Sequence, residues 1–177
     1  MELPDWDPAS LMSIRETLLM LARHMKDLSQ RFGDKHEVNP VQHLIGTASS
    51  WGGNPPKAAL YQIVYPEKND GRTPYDLTFG KVPVDGFWSI TVYNKEGFIE
   101  ANAQKIYVVN DRTAKPNADG SFTIHFGGDP KAVNYMPILD GWNYSVRMYR
   151  PKEEILSKKW VFPDPKITSA DLPHTSS

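Results

Sequence analysis

A chain of 177 residues is long enough to bury one substantial core and short for two domains. Its apolar share of 40% and charged share of 23% are those of a globular protein, and a net charge of −1 with no basic stripe argues against a nucleic-acid partner. No run approaches the roughly 18 apolar residues of a membrane span, the acidic start (Glu2, Asp5, Asp7) is unlike a signal peptide, and the lack of cysteine excludes disulfides, thiolate catalysis and Cys-ligated zinc. A cytoplasmic protein without a membrane role is expected.

The first predicted element is a helix. Asp7 can cap it, Pro8 suits its first turn, and Gly33 stands in a C-cap position. Between them Leu11, Ile14, Leu18, Leu21, Met25, Leu28 and Phe32 recur at spacings of three and four. A helix from Pro8 to Phe32 is about 36 Å long at 1.5 Å per residue, and its seam suits either the chain's own sheet or a second copy. Lys26, Asp27, Gln30 and Arg31 would form its wet face. A homodimer through residues 11–32 is therefore one expectation. A second, shorter helix is predicted over residues 40–50, capped by Asn39 with Pro40 in the first turn, ending at Trp51-Gly52-Gly53-Asn54-Pro55-Pro56.

From residue 58 the period changes to two, and 15 Pro and 12 Gly punctuate the chain often, as in a sheet protein. Strands are predicted over residues 58–65, 75–79 and 87–93. In the last of these Trp88, Ile90 and Val92 alternate with Ser89, Thr91 and Tyr93. Asn94-Lys95-Glu96-Gly97 reads as a hairpin turn followed by a return strand over residues 97–100. Further strands are predicted over residues 106–109, 121–126 and 142–149. Along the final one Trp142, Tyr144, Val146 and Met148 oppose Asn143, Ser145, Arg147 and Tyr149. A helical turn is predicted from Pro151 to Leu156, and the tail from Thr168 is polar. The division expected is a helical extension over residues 1–38, a β-domain over 39–167 and a tail over 168–177.

Candidate chemistry is sparse. No Gly-x-Ser-x-Gly elbow and no phosphate-cradling glycine loop occur. The five histidines (His24, His36, His43, His125, His174) show no metal-ligand spacing, so neither a metal nor a cofactor is expected. What stands out is a polar strand face. If the alternating strands share one sheet, Arg147, Tyr93, His125, Asn143 and Tyr149 point the same way, with Ser89, Thr91, Thr123 and Ser145. Such a face would form a groove for a small polar ligand. Arg147 is its centre, because a guanidinium midway along a strand needs a partner, and a bidentate carboxylate fits it. That carboxylate could belong to a ligand or to Asp111, in the turn Asn110-Asp111-Arg112-Thr113. Asp111 and Arg112 therefore join the candidate ligand-binding set.

Several segments together resemble a known family. They are Trp51-Gly52-Gly53-Asn54-Pro55-Pro56, the run Val82-Pro83-Val84-Asp85-Gly86-Phe87-Trp88-Ser89-Ile90-Thr91-Val92-Tyr93, Asn117-Ala118-Asp119-Gly120-Ser121, Phe126-Gly127-Gly128, and Gly141-Trp142-Asn143-Tyr144-Ser145-Val146-Arg147-Met148-Tyr149-Arg150-Pro151, with Trp160 and Phe162-Pro163 at the close. The set is similar to the bacterial-type family called domain of unknown function 1214. The resemblance implies a mainly β fold, an antiparallel β-sandwich of jelly-roll type. Larger relatives carry a second domain of unknown function, 1254, of which no counterpart is expected in this chain. Asn134-Tyr135-Met136-Pro137 departs from the Trp-Leu-Pro or Cys-Leu-Pro that relatives tend to have. Some members carry carboxylesterase labels, and the residues of this chain support no catalytic assignment from them. Three functions follow as expectations: a small-molecule-binding β-domain with a groove around Arg147; a small-substrate hydrolase or lyase using the same groove, with His125 or Tyr93 as acid–base group; or a protein acting through its N-terminal helix.

Overall fold

The computed structural model describes residues 7–25, 30–50 and 52–168. Expectations placed on Lys26, Asp27, Leu28, Trp51, His174 and the tail beyond Thr168 lie outside the described residues. The chain divides into two compact units, Met1–Ala58 and Ala59–Ser177.

Among the described residues of the first unit are two helices, α1 (Pro8–His24) and α2 (Pro40–Ser49). Asp7 caps α1: its Oδ2 accepts from Ser10 N at 3.0 Å and from Ser10 Oγ at 2.6 Å. Those two bonds also hold its carboxyl below the ordinary value. Asn39 Oδ1 caps α2 by accepting from Val41 N and Gln42 N at 3.0 and 3.1 Å. The expected helix to Gly33 stops at His24, and Met25 is already extended. Contacts with α2 compete with helix beyond that point. Gln30 O accepts from Asn39 N at 3.0 Å, Arg31 O meets His43 Nδ1 at 2.7 Å, and the Phe32 ring sits edge-on to His43. Local helix propensity, a weak preference, yields to those tertiary partners. Both helices lie in the first unit, Met1–Ala58.

The second unit is mainly β: β1 (Ala59–Val64), β2 (Tyr75–Phe79), β3 (Trp88–Tyr93), β4 (Val108–Asn110), β5 (Phe122–Phe126), β6 (Tyr135–Met136), β7 (Asn143–Tyr149) and β8 (Lys166–Ile167), with a one-turn α3 (Glu153–Leu156) between the last two. They form two four-stranded sheets, β1-β7-β3-β4 and β6-β5-β2-β8. Every pairing is antiparallel except β5 with β6. Alternation explains the burial. Val92, Ile90 and Trp88 on β3, Tyr144, Val146 and Met148 on β7, and Leu77, Ile124 and Phe126 from the other sheet belong to one hydrophobic core. Rings join the sheets across it: Phe79 meets Trp88 edge-on at 5.0 Å, and Phe126 stacks on Tyr144 at 4.8 Å. Burial pushes the Tyr144 phenol far above its ordinary range, and the Asp164 carboxylate adds to the shift.

The predicted return strand over residues 97–100 is a correction. Gly97 adopts the expected left-handed conformation (φ 88°), and Asn94 closes the turn by accepting from Phe98 N on its side chain. The chain then leaves the sheet, because the edge of β3 is taken by β4 in the register Ser89–Asn110, Ile90–Val109, Thr91–Val108. Among the described residues no helix is long and apolar enough to cross a membrane.

Candidate functional site

The face of β1-β7-β3-β4 turned from the core is built by register. β7 and β3 pair with Ser89 opposite Arg147, Thr91 opposite Ser145 and Tyr93 opposite Asn143, while β1 sets Tyr61 beside Arg147. Side chains at every second position share a face, so Tyr149, Arg147, Ser145 and Asn143 stand beside Ser89, Thr91 and Tyr93. The small members Ser89, Thr91 and Ser145 are buried.

Arg147 is half-buried and reaches across to β3. Its Nη1 donates to Thr91 Oγ1 at 2.9 Å, and its Nη2 donates to the Tyr93 hydroxyl. Its Cζ lies 5.7 Å from the centroid of the Tyr93 ring, a cation–π distance. Among the described residues no carboxylate forms a salt bridge with it. Two uncharged hydroxyls thus orient a fixed positive charge without neutralising it.

At one end of the face Phe87 and Tyr149 form a stacked pair, with centroids 4.3 Å apart and planes 17° apart, beside the backbone bond from Tyr149 N to Phe87 O at 2.9 Å. Gly86 makes this approach possible. A Cβ there would stand 2.6 Å from Tyr149 O, the atom that accepts from Gly86 N at 3.1 Å. At the other end Asn143 is buried and committed to the fold, its Nδ2 donating to Asn94 O at 2.9 Å.

Four of the expected residues therefore meet on one face: Arg147, Tyr93, Asn143 and Tyr149. Three do not join them. His125 is on β5, in the other sheet, where its Nδ1 bonds Asp76 Oδ1 on β2 at 2.6 Å with both side chains about one-third exposed. Alternation in sequence shows which residues of a strand are polar, and it does not show which sheet the strand enters. Asp111 and Arg112 are exposed in the turn after β4. Asn110 organises that turn by accepting from Arg112 N at 3.0 Å, and Asp111 N donates to Trp88 O. Asp111 is thus not the counter-charge of Arg147. Thr91 stands on the face where the alternation predicts it, whereas Phe87 and Asp76 are residues the sequence does not single out. Asp76 carried a readable signal, as the polar residue alternating with Leu77 on β2.

Two hollows occur elsewhere on this unit. One, of about 500 Å³, is lined by Asp70, Gly71, Arg72 and Asp140. The other, of about 230 Å³, lies among Val92, Asn102, Ile106, Tyr107, Ile138 and their neighbours. Arg147 lines neither. In the first, Asp70 is bound by its own turn, accepting from Thr73 N at 2.7 Å, Arg72 N at 2.9 Å and Thr73 Oγ1 at 2.9 Å; these bonds, the two backbone ones first, lower its carboxyl to about 2. Among the described residues no three His, Asp or Glu side chains gather as a metal-binding set.

Residues 65–153 match the protein family described as a protein of unknown function, DUF1214. The chain belongs to the DUF1214 family. The matched span contains Phe87, Thr91, Tyr93, Asn143, Arg147 and Tyr149, so the whole Arg147 face apart from β1 lies on the family's own part of this DUF1214 chain. Among solved structures it is similar to the VPA0106 protein from Vibrio parahaemolyticus, with a TM-score of 0.71 and 24% identity, covering 94% of this chain and 47% of that one. That likeness speaks for the fold alone. An uncharacterised protein from Burkholderia cenocepacia matches with a TM-score of 0.47 and 18% identity, covering 97% of this chain and 46% of that one. The chain thus spans about half the length of these structures. No curated protein matches it.

Proposed function

We propose that this DUF1214 chain is a binding module, a sandwich-like β-domain that takes a small anion, above all a carboxylate, on the Arg147 face. One observation supports the reading: the half-buried guanidinium bonds to two neutral hydroxyls and to no described carboxylate. A guanidinium carries five donors in a planar fork and stays charged at every working pH. A partly desolvated charge is costly until an opposite charge joins it. Thr91 and Tyr93 fix the orientation of the fork, and a ligand carboxylate supplies the missing charge in bidentate geometry. Asn143 braces the turn beside Tyr93, and Tyr149 borders the other side.

A hydrolase or lyase on this face would work without His125, which the fold assigns to the other sheet. Binding asks less of the residues that are present. The test is a thermal-shift series of small carboxylates on the wild type and on Arg147→Met, which keeps the aliphatic stem. A ligand at a hundred times its dissociation constant stabilises by about 2.7 kcal/mol, read as a rise of a few degrees. The reading expects that rise in the wild type and none in a folded Arg147→Met. A flat response in the wild type ends it.

A second reading, pairing of α1 with a second copy, is favoured by the exposure of Leu11, Ile14 and Leu21 on its 3–4 seam. Light scattering at high protein concentration decides it: a monomer there excludes the pairing, and a dimer lost in Leu21→Glu supports it.

A further inference from the structure

Resting on the anion reading, we infer that the ligand of the Arg147 face is a small aromatic carboxylate. What stands on either side of the guanidinium favours a ligand that is both aromatic and anionic. On β3 the row runs Phe87, Ser89, Thr91, Tyr93, about 20 Å at ~3.3 Å per residue. On β7 it runs Tyr149, Arg147, Ser145, Asn143 in register with it. Large rings occupy both ends, and the positions between them on β3 carry only the small buried side chains of Ser89 and Thr91.

Arg147 leans to the Tyr93 end, where both of its described bonds lie. Ser89 thus stands between a cation on one side and an aromatic stack on the other. In that stack Phe87 and Tyr149 use one face of each ring on the other, and Phe87 is still 40% exposed. An aliphatic anion would use the guanidinium and leave the rings idle. A ring bearing a carboxylate uses both, because aromatic pairs gain about 0.5–1.5 kcal/mol beyond the area they bury and the carboxylate takes the fork. Gly86 fits the same account, since the close approach it permits brings Phe87 against Tyr149.

Titration calorimetry with benzoate, cyclohexanecarboxylate and acetate tests this, on the wild type, Phe87→Leu, Tyr149→Leu and Arg147→Met, each checked for folding by circular dichroism. The expected result is benzoate binding at least tenfold tighter than both other acids. At least one folded ring variant should lose that preference while keeping acetate affinity. If acetate or cyclohexanecarboxylate binds the wild type as tightly as benzoate, the aromatic proposal falls and the anion reading stands. If both folded ring variants keep the preference, the Phe87–Tyr149 stack is not its source and the proposal falls. If benzoate binds Arg147→Met unchanged, or if no acid binds the wild type, both fall.

Discussion

In the β6-β5-β2-β8 sheet the imidazole of His125 meets a carboxylate of its own chain, Asp76, at 2.6 Å, whereas in the β1-β7-β3-β4 sheet the guanidinium of Arg147 meets hydroxyls. The two sheets share one core and follow the same alternation, so the difference belongs to their polar faces alone. It shows how a structural polar pair and a candidate binding group can be told apart. His125 and Asp76 satisfy each other, and a purely structural role accounts for both. Arg147 is oriented by its neighbours and still carries its charge unmatched among the described residues, which is the arrangement a ligand completes.

The largest effects should leave the contrast untouched. Leu77 and Ile90 are wholly buried, one in each sheet, and truncating either to Ala should cost about 2–5 kcal/mol. Urea denaturation would read both. A large loss in one sheet only would mean that the core is not shared and that the comparison is between two separate structures.

Next come the polar faces themselves. Asp76→Asn removes the carboxylate partner of His125 and should cost about 1 kcal/mol, the upper end for a partly exposed pair. Arg147→Met removes a charge that has no described counter-charge, and its stability cost should be smaller than that of Asp76→Asn. Denaturant midpoints of the two variants sharpen the contrast if they fall in that order. The reverse order breaks it and makes Arg147 a structural residue.

The smallest effect concerns Asp70, a charge satisfied wholly by its own turn. Its carboxyl is lowered from the ordinary 3.8 to about 2, so the folded state favours the ionised form. The stabilisation is complete above about pH 4 and is lost as pH falls towards 2. The stability difference between wild type and Asp70→Asn should shrink over that window and stay constant above it. Carboxyl carbon NMR gives the midpoint directly, and an Asp70 titration near 3.8 would contradict the bonding described.

Much of this was legible before the fold was known, for reasons that also mark the limits. β2 lies where the period-two pattern put it, and β3, β5 and β7 differ from expectation by a residue at most. Each has alternating large apolar residues long enough to define a period. β6 and β8 have two residues each, too few to carry one. The absent strand over residues 97–100 and the early end of α1 were decided by tertiary partners, β4 in one case and α2 in the other. The same logic divides the site. Arg147 and Tyr149 are brought together by alternation within one strand, and Tyr93 joins them because β3 happens to pair with β7. His125 has the same pattern and the other sheet.

If the proposal holds, Arg147 presents its charge to a carboxylate from outside the chain. The most direct measurement follows the arginine Nε–Hε cross-peak of Arg147 by NMR, assigned with Arg147→Met, during titration with benzoate. The account predicts a saturable shift of that peak, with those of Arg72 and Arg112 unmoved. An Arg147 peak that stays in place at high benzoate, or moves only in step with the other arginines, would contradict it.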